Sequence, residues 1–198
     1  MDEVEWVKTI VAPSIEKRLQ EYDPNLSLRV GYKLPYAYEI CDYENDEACE
    51  NRLMRYETDL LVVENSDKEK WIPRVVIEAK GNGAITTHDA ITYSHKAATH
   101  RQVHPYLRYG ILLGDSKHYS LPGRLFRHGT QFDFMISWVN HKPSKQELDD
   151  TIDVLLKEVD ASRILEKIIY DSRKRGRDHY TVLYKELKLR SREEEQES

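Results

Sequence analysis

The sequence predicts an α/β protein: a central mixed β-sheet flanked by helices, with a C-terminal helical extension. Three observations carry this. Two runs rich in β-branched residues, TDLLVVE (58–64) and RVVIEAK (74–80), are joined by the connection NSDKEKWIP, which reads as a hairpin. A helical segment and two further apolar runs follow them. Helical stripes open and close the chain, so helices and strands alternate around one sheet.

The elements follow in order. In VEWVKTIVAPSIEKRLQEY, Val4, Val7, Ile10, Val11, Ile15 and Leu19 recur at helical spacing, with Pro13 as an expected kink. The tripeptide DPN (23–25) ends that helix. LSLRVGYKL alternates as a strand, placing Leu26, Leu28, Val30 and Tyr32 on one face, and Pro35 is expected to end it. From Tyr36 to Asn51 the chain is acidic and reads as irregular. After the hairpin and a GNG break, THDAITYSHKAATHRQV forms a helix capped by Thr86 or Thr87 and ending near Pro105. YGILLGD and FDFMISWV read as strands, with LPGRLFRHGTQ as a basic loop between them. Ser144 and Glu147 make an S-x-x-E capping box ahead of a long amphipathic helix whose apolar positions include Leu148, Ile152, Leu155, Val159, Leu165 and Ile169. RKRGRD interrupts it, and a second short helix is expected from His179. Residues 1–142 are therefore read as the core and 143–190 as a helical extension, packed on the core or lying at a dimer interface. Residues 191–198 read as a disordered tail.

Composition bounds the function. At 198 residues and 39% hydrophobic, the chain can bury one good core. No apolar run reaches the roughly 18 residues of a membrane span, and the N-terminus is acidic where a signal peptide would be basic. The expectation is an intracellular, cytoplasmic protein without membrane association. Cys41 and Cys49 lack metal-site spacing and read as free thiols. His100 and His104 have i, i+4 spacing but no third ligand at a recognisable distance, so no zinc site is read there. The net charge of −5 conceals a segregation. Residues 1–69 carry 8 basic and 17 acidic side chains, whereas residues 70–142 carry 10 basic and 4 acidic ones and seven of the eight histidines. A locally basic surface on an acidic protein is compatible with a polyanionic partner.

Three charges sit at the ends of the apolar hairpin strands: Asp59 opens the first, and Glu78 and Lys80 close the second. Residues two apart in a strand face the same side, so Glu78 and Lys80 point together. An antiparallel register that sets Asp59 opposite Lys80 and Leu61 opposite Glu78 brings all three to one end of the sheet. Two carboxylates so close repel unless a cation lies between them. Hard oxygen ligands suit magnesium, or manganese.

The pattern of Asp59, eighteen intervening residues and Glu78-Ala79-Lys80, between a leading and a following helix, resembles the PD-(D/E)XK nuclease superfamily, the restriction-endonuclease-like fold. It departs from the superfamily at Thr58, where a proline usually stands. The resemblance implies that Asp59 and Glu78 bind Mg²⁺ (or Mn²⁺), that the carbonyl of Ala79 is a further ligand, and that Lys80 assists the attacking water. Glu16 on the first helix and Glu57 are the candidates for an additional acid. His95, Lys96 and Arg101 on the following helix, with Arg124 and Arg127 in the basic loop, are the expected DNA contacts. The implied activity is metal-dependent DNA hydrolysis by a bacterial or archaeal enzyme, in the first instance a type II-like restriction or phage-defence endonuclease; the long C-terminal amphipathic helix is the expected means of forming a homodimer, which would bring two sites to the two strands. A repair or recombination nuclease, or a non-catalytic nucleic-acid-binding module of the same fold, is the alternative.

Overall fold

The computed structural model describes residues 1–67, 69–82, 84–116, 121–171 and 182–190. Its centre is a five-stranded sheet in the order β1 (Leu26–Glu44), β2 (Glu47–Asn65), β3 (Trp71–Lys80), β4 (Arg108–Leu113) and β5 (Phe134–Ser137). β1, β2 and β3 pair antiparallel, and β3, β4 and β5 pair parallel, so the sheet is mixed as expected. The parallel step from β3 to β4 needs a crossover, which α3 (Thr87–Val103) supplies.

The chain opens with three helical segments in direct succession: α1 (Glu3–Trp6), a π-helical stretch (Val7–Val11) and α2 (Ala12–Tyr22). Asp2 caps the first by accepting the N–H of Glu5 at 2.7 Å. Pro13 lies just past the π-helical stretch. A proline removes one ladder donor and presses on the carbonyl four residues back, and a widened turn relieves that clash without breaking the helix. Trp6 fixes this helix to the end of the sheet. Its indole donates to the carbonyl of His141 at 2.7 Å and meets Trp138 edge-on at 6.0 Å. The ring also fills the space beside Gly114, where an added Cβ would lie 2.4 Å from it. A glycine is therefore required at that point of closest approach.

Strand alternation sends side chains into two layers. Leu60, Val62, Val75, Ile77 and Ala79 pack with Ile15 and Leu19 of α2 and with Ile152, Leu155 and Val159 of α5 (Lys145–Asp171). Leu61, Val63, Val76 and Tyr109 face the other way, toward Ala97 of α3. Leu26 and Leu34 differ by an even number of residues yet lie in opposite layers. Between them Gly31 takes φ +63°, a conformation that a side chain resists and that lets the strand turn over.

α5 begins at the capping box read from the sequence. Ser144 Oγ accepts from Glu147 N at 3.2 Å, and Glu147 returns to Ser144 N at 2.7 Å. The helix is tied to the sheet by buried Arg74, which bonds Glu64 (2.6 Å) and Glu166 (2.7 Å), and by Arg163, which bonds Glu64 and Asp23.

Three expectations about local structure need correction. The segment read as irregular, Tyr36 to Asn51, is a regular two-stranded ribbon: β1 and β2 continue past the sheet to a two-residue turn at Asn45 and Asp46. Both turn residues have positive φ (51° and 65°), the geometry of a tight hairpin that short polar side chains tolerate. Pro35 does not end β1, because a bulge beside it absorbs the missing donor. The basic loop contains a short helix, α4 (Gly123–His128), anchored by Leu125, which is fully buried against Ile85, Ala90 and Ile111. The interrupting run RKRGRD, the start of the helix expected from His179 and the tail 191–198 lie outside the described residues. Residues 182–190 form neither helix nor strand, so that second helix does not extend through them. Among the described residues no helix is long and apolar enough to cross a membrane.

Candidate active site

The hairpin register decides what Asp59 faces. Leu60 pairs with Ile77 and Leu61 with Val76, which sets Asp59 beside Glu78 and not opposite Lys80 as expected. The connection closes with Ser66 N donating to Lys70 O at 2.9 Å, and an irregularity in the pairing between Val62 and Val63 then adds one residue on β3, so that beyond it the register differs by two residues from the one expected. A shift of two keeps every side chain on its face, so the two carboxylates still converge. Asp59 Oδ2 accepts the N–H of Ala79 at 2.8 Å, which fixes its carboxylate against β3.

Glu78 is almost wholly buried, at 1% exposure. Its Oε1 accepts a bond from the Tyr109 hydroxyl and an ion pair from Lys96 Nζ at 2.8 Å. Its Oε2 is buried without a partner. Burial pushes the Glu78 carboxyl up to about 7; the Lys96 ammonium opposes that rise and the charge of Asp59 adds to it. Burial, and then the neighbouring Glu78, raise Tyr109 well above the ordinary phenol value, so it remains a hydroxyl donor. An orphaned carboxylate oxygen next to a second carboxylate is a donor set that suits a hard divalent cation. Among the described residues, no three His, Cys, Asp or Glu side chains gather to hold a metal. Any cation here would complete its shell with backbone, water or phosphate oxygen.

Lys80 and Lys96 make contacts other than those expected of them. Lys80 approaches Glu3 at 3.6 Å and Asp89 at 3.8 Å, and lies over the Tyr93 ring; its ion pairs are not with Asp59 or Glu78. Burial works to lower its ammonium, but Tyr93, Glu3 and Asp89 outweigh that and hold it above its ordinary value. Lys96, expected as a DNA contact, instead reaches from α3 to Glu78 and also donates to the carbonyl of Glu57 at 2.9 Å. An ammonium has three donors, which leaves one for a further oxygen.

The remaining assignments divide. Glu16 accepts the N–H of Leu28 at 3.2 Å on the α2 layer, across the sheet from Glu78, and does not join the pair. The acidic residue that the first helix brings to the motif is Glu3, which also lies 3.4 Å from Gly81 N. The exposed carboxylate of Glu57 is directed toward Gly31. Thr58, in the place of the usual proline, is buried and donates to the carbonyl of Tyr32 at 3.0 Å. Arg101 is occupied structurally: it bonds Leu107 O at 3.1 Å, Gln131 O at 2.8 Å and the Asp133 carboxylate. Of the other expected contacts, His95 and Arg127 are exposed, and exposed Arg124 donates to Ile85 O at 3.0 Å.

Sequence reasoning missed Tyr109, Tyr93, Glu3 and Asp89. Asp89 carried a local signal, since it stands at the third position of a helix capped by Thr86 and closes that capping box. Tyr109 carried none, because its approach to Glu78 depends on the register of a parallel crossover.

His100 lies behind the site, fully buried, with Nε2 at 3.2 Å from Leu34 O and its ring stacked on Tyr109. Burial pushes its imidazolium down to about 4. A histidine that must stay neutral in the folded chain contributes stability above its unfolded pKa near 6.5, and that contribution is lost as pH falls. Between pH 7 and pH 5 the expected loss from His100 alone is about 2 kcal/mol. Glu78, raised to about 7, takes up a proton on folding over the same interval and opposes that loss, so the check is a comparison: urea denaturation at the two pH values should show His100→Gln losing about 2 kcal/mol less than the wild type between pH 7 and pH 5.

No protein-family model matches the chain, and no curated protein matches it.

Proposed function

We propose that the protein is a Mg²⁺-dependent deoxyribonuclease of the restriction-endonuclease-like fold, hydrolysing DNA phosphodiester bonds. The observation that carries this reading is Glu78: a nearly fully buried carboxylate beside Asp59, with one oxygen unpartnered. A carboxylate retained in so apolar a place needs a function or a neutral form to offset its burial. The element order and the mixed sheet, with the acidic pair at the β2–β3 end, support the resemblance to the PD-(D/E)XK superfamily.

Asp59 and Glu78 would hold the cation, Mg²⁺ or Mn²⁺, with the Ala79 carbonyl as a further ligand. Bound there, a divalent cation supplies charge stabilisation to a phosphoryl oxygen and lowers the pKa of water. The chain's own groups do the rest. Tyr109 orients the Glu78 carboxylate by donating to Oε1, and Ala79 N–H holds Asp59. Lys96, anchored to Glu78 and to the carbonyl of Glu57, presents its third N–H to a phosphate oxygen or the attacking water. Lys80, tethered by Glu3, Asp89 and Tyr93, keeps a positive charge at the mouth of the site, where the resemblance assigns it to the water. His95, Arg124 and Arg127 are left as contacts for the DNA backbone.

Within this activity we favour a type II-like restriction or phage-defence role in the cytoplasm of a bacterium or archaeon, with a homodimer bringing one site to each strand. The test is digestion of supercoiled plasmid by the wild-type chain with Mg²⁺ and with EDTA. Cleavage is expected with the metal and none without it, and discrete bands would mark site-specific cutting. A chain that binds Mg²⁺ in calorimetry but cuts nothing would have a different substrate; one that binds no divalent cation would be a binding module, and the nuclease reading would fail.

A further inference from the structure

β1 and β2 are each 19 residues long, but β3 pairs only with the last part of β2, from Leu60 to Asn65. The outer part of the hairpin, Tyr38 to Arg55, therefore leaves the sheet as a two-stranded arm exposed on both faces. A lone two-stranded ribbon is at best marginally stable in water. This one also carries Tyr38, Ile40, Tyr43, Leu53 and Met54 at 38–66% exposure. Tyr38 pairs with Leu53 and Ile40 with Asn51, and cross-strand partners share a face, so Tyr38, Leu53 and Ile40 form one apolar stripe. A stripe of this kind on an otherwise unsupported ribbon marks a contact surface.

The charges select the partner. Asp42, Glu44, Asp46 and Glu47 give the tip four carboxylates with no base among them, which repels nucleic acid, and Glu50 beside them lies 3.6 Å from Arg52 of the same arm, a solvent-exposed pair. At the root, exposed Lys33, Arg52 and Arg55 outnumber Glu39 and Glu57. Two such arms crossing antiparallel about a two-fold axis set the acidic tip of each against the basic root of the other, with the apolar stripes facing at the centre. A two-fold contact must be self-complementary, and an arm acidic at one end and basic at the other meets that condition only when antiparallel. Edge-to-edge strand addition is disfavoured, because Pro35 removes a donor from β1 and bulges follow at Pro35/Ala37, Ile40/Asp42 and Asp42/Tyr43.

We propose that the projecting β1–β2 arm is a homodimerisation surface on which a second copy of this chain seats its own arm, antiparallel and face to face. This stands independently of the nuclease reading. The chain carries its own reporter, since both cysteines, Cys41 and Cys49, are free and exposed on the arm.

Sedimentation of the full chain from about 1 to 200 μM, the range in which a small interface associates, should show a monomer–dimer equilibrium weakened by high salt. A short bis-maleimide should trap the dimer through the native cysteines. Arg52→Glu with Arg55→Glu, and separately Glu44→Lys with Glu47→Lys and Glu50→Lys, should each weaken dimerisation at least about tenfold. An equimolar mixture of the two variants should recover it as a heterodimer, which misfolded chains could not do. A chain that stays monomeric over the whole range overturns the proposal, as does a dimer that is not trapped through the arm or is indifferent to both charge reversals.

Discussion

Lys96→Met is expected to lower kcat for Mg²⁺-dependent plasmid cleavage by at least about a hundredfold, the scale of removing one charged group from a transition-state contact. The loss should appear in kcat and not mainly in KM, and this separates two roles for the residue. A lysine that merely grips the DNA backbone contributes uniform binding, so its removal raises KM. Lys96 instead lies 2.8 Å from Glu78 Oε1. Without it the buried carboxylate loses its compensating charge and shifts further toward the neutral form, and the third ammonium N–H is lost from the reacting centre. Asp59→Ala should abolish cleavage outright, by about a thousandfold or more, because it removes one of only two carboxylates. Arg127→Ala supplies the contrast: an exposed contact should raise KM and leave kcat within about a factor of two. Steady-state rates on a short duplex, with circular dichroism to verify folding, measure all three. A Lys96→Met enzyme with unchanged kcat and raised KM would return Lys96 to the DNA contacts.

Arg74→Met is expected to be strongly destabilising, costing about 3 to 5 kcal/mol, the range for removing one partner of a buried ion pair. Arg74 is 4% exposed and bonds Glu64 and Glu166 while lying near the Tyr106 ring. Burial pushes the Glu64 carboxyl up, but hydrogen bonds from Arg163 and Arg74 outweigh it and hold it below the usual range. With Arg74 gone, β3 and α5 face each other across two partly buried carboxylates and one buried apolar chain. Arg163→Met removes a more exposed member of the same network and should cost about 1 kcal/mol. Urea titrations of the two variants at neutral pH make the comparison, and equal losses would show that burial of Arg74 is not what matters.

How much of this was legible in the sequence differs between elements. The capping box at Ser144 and Glu147, the helix from Thr87 to Val103 and the apolar runs of β2, β3 and β4 are local patterns, and periodicity and caps disclose them. The outer hairpin was missed. Its exposure removes the alternation of apolar and polar residues by which strands are usually found, leaving only the Asn45-Asp46 turn as a signal.

Local pattern was enough to show which charged side chains share a face of the sheet. Alternation places Asp59, Glu78 and Lys80 on one side of two apolar strands, and a register error of two residues does not disturb it. Their partners came from long-range packing. The bond between Ser66 and Lys70 and the bulge at Val62/Val63 set Asp59 beside Glu78, the crossover through α3 delivered Lys96 and Tyr109 to Glu78, and the Trp6 anchor brought Glu3 to Lys80. Each of these depends on contacts between residues far apart in the chain, set by packing and register that no local pattern encodes.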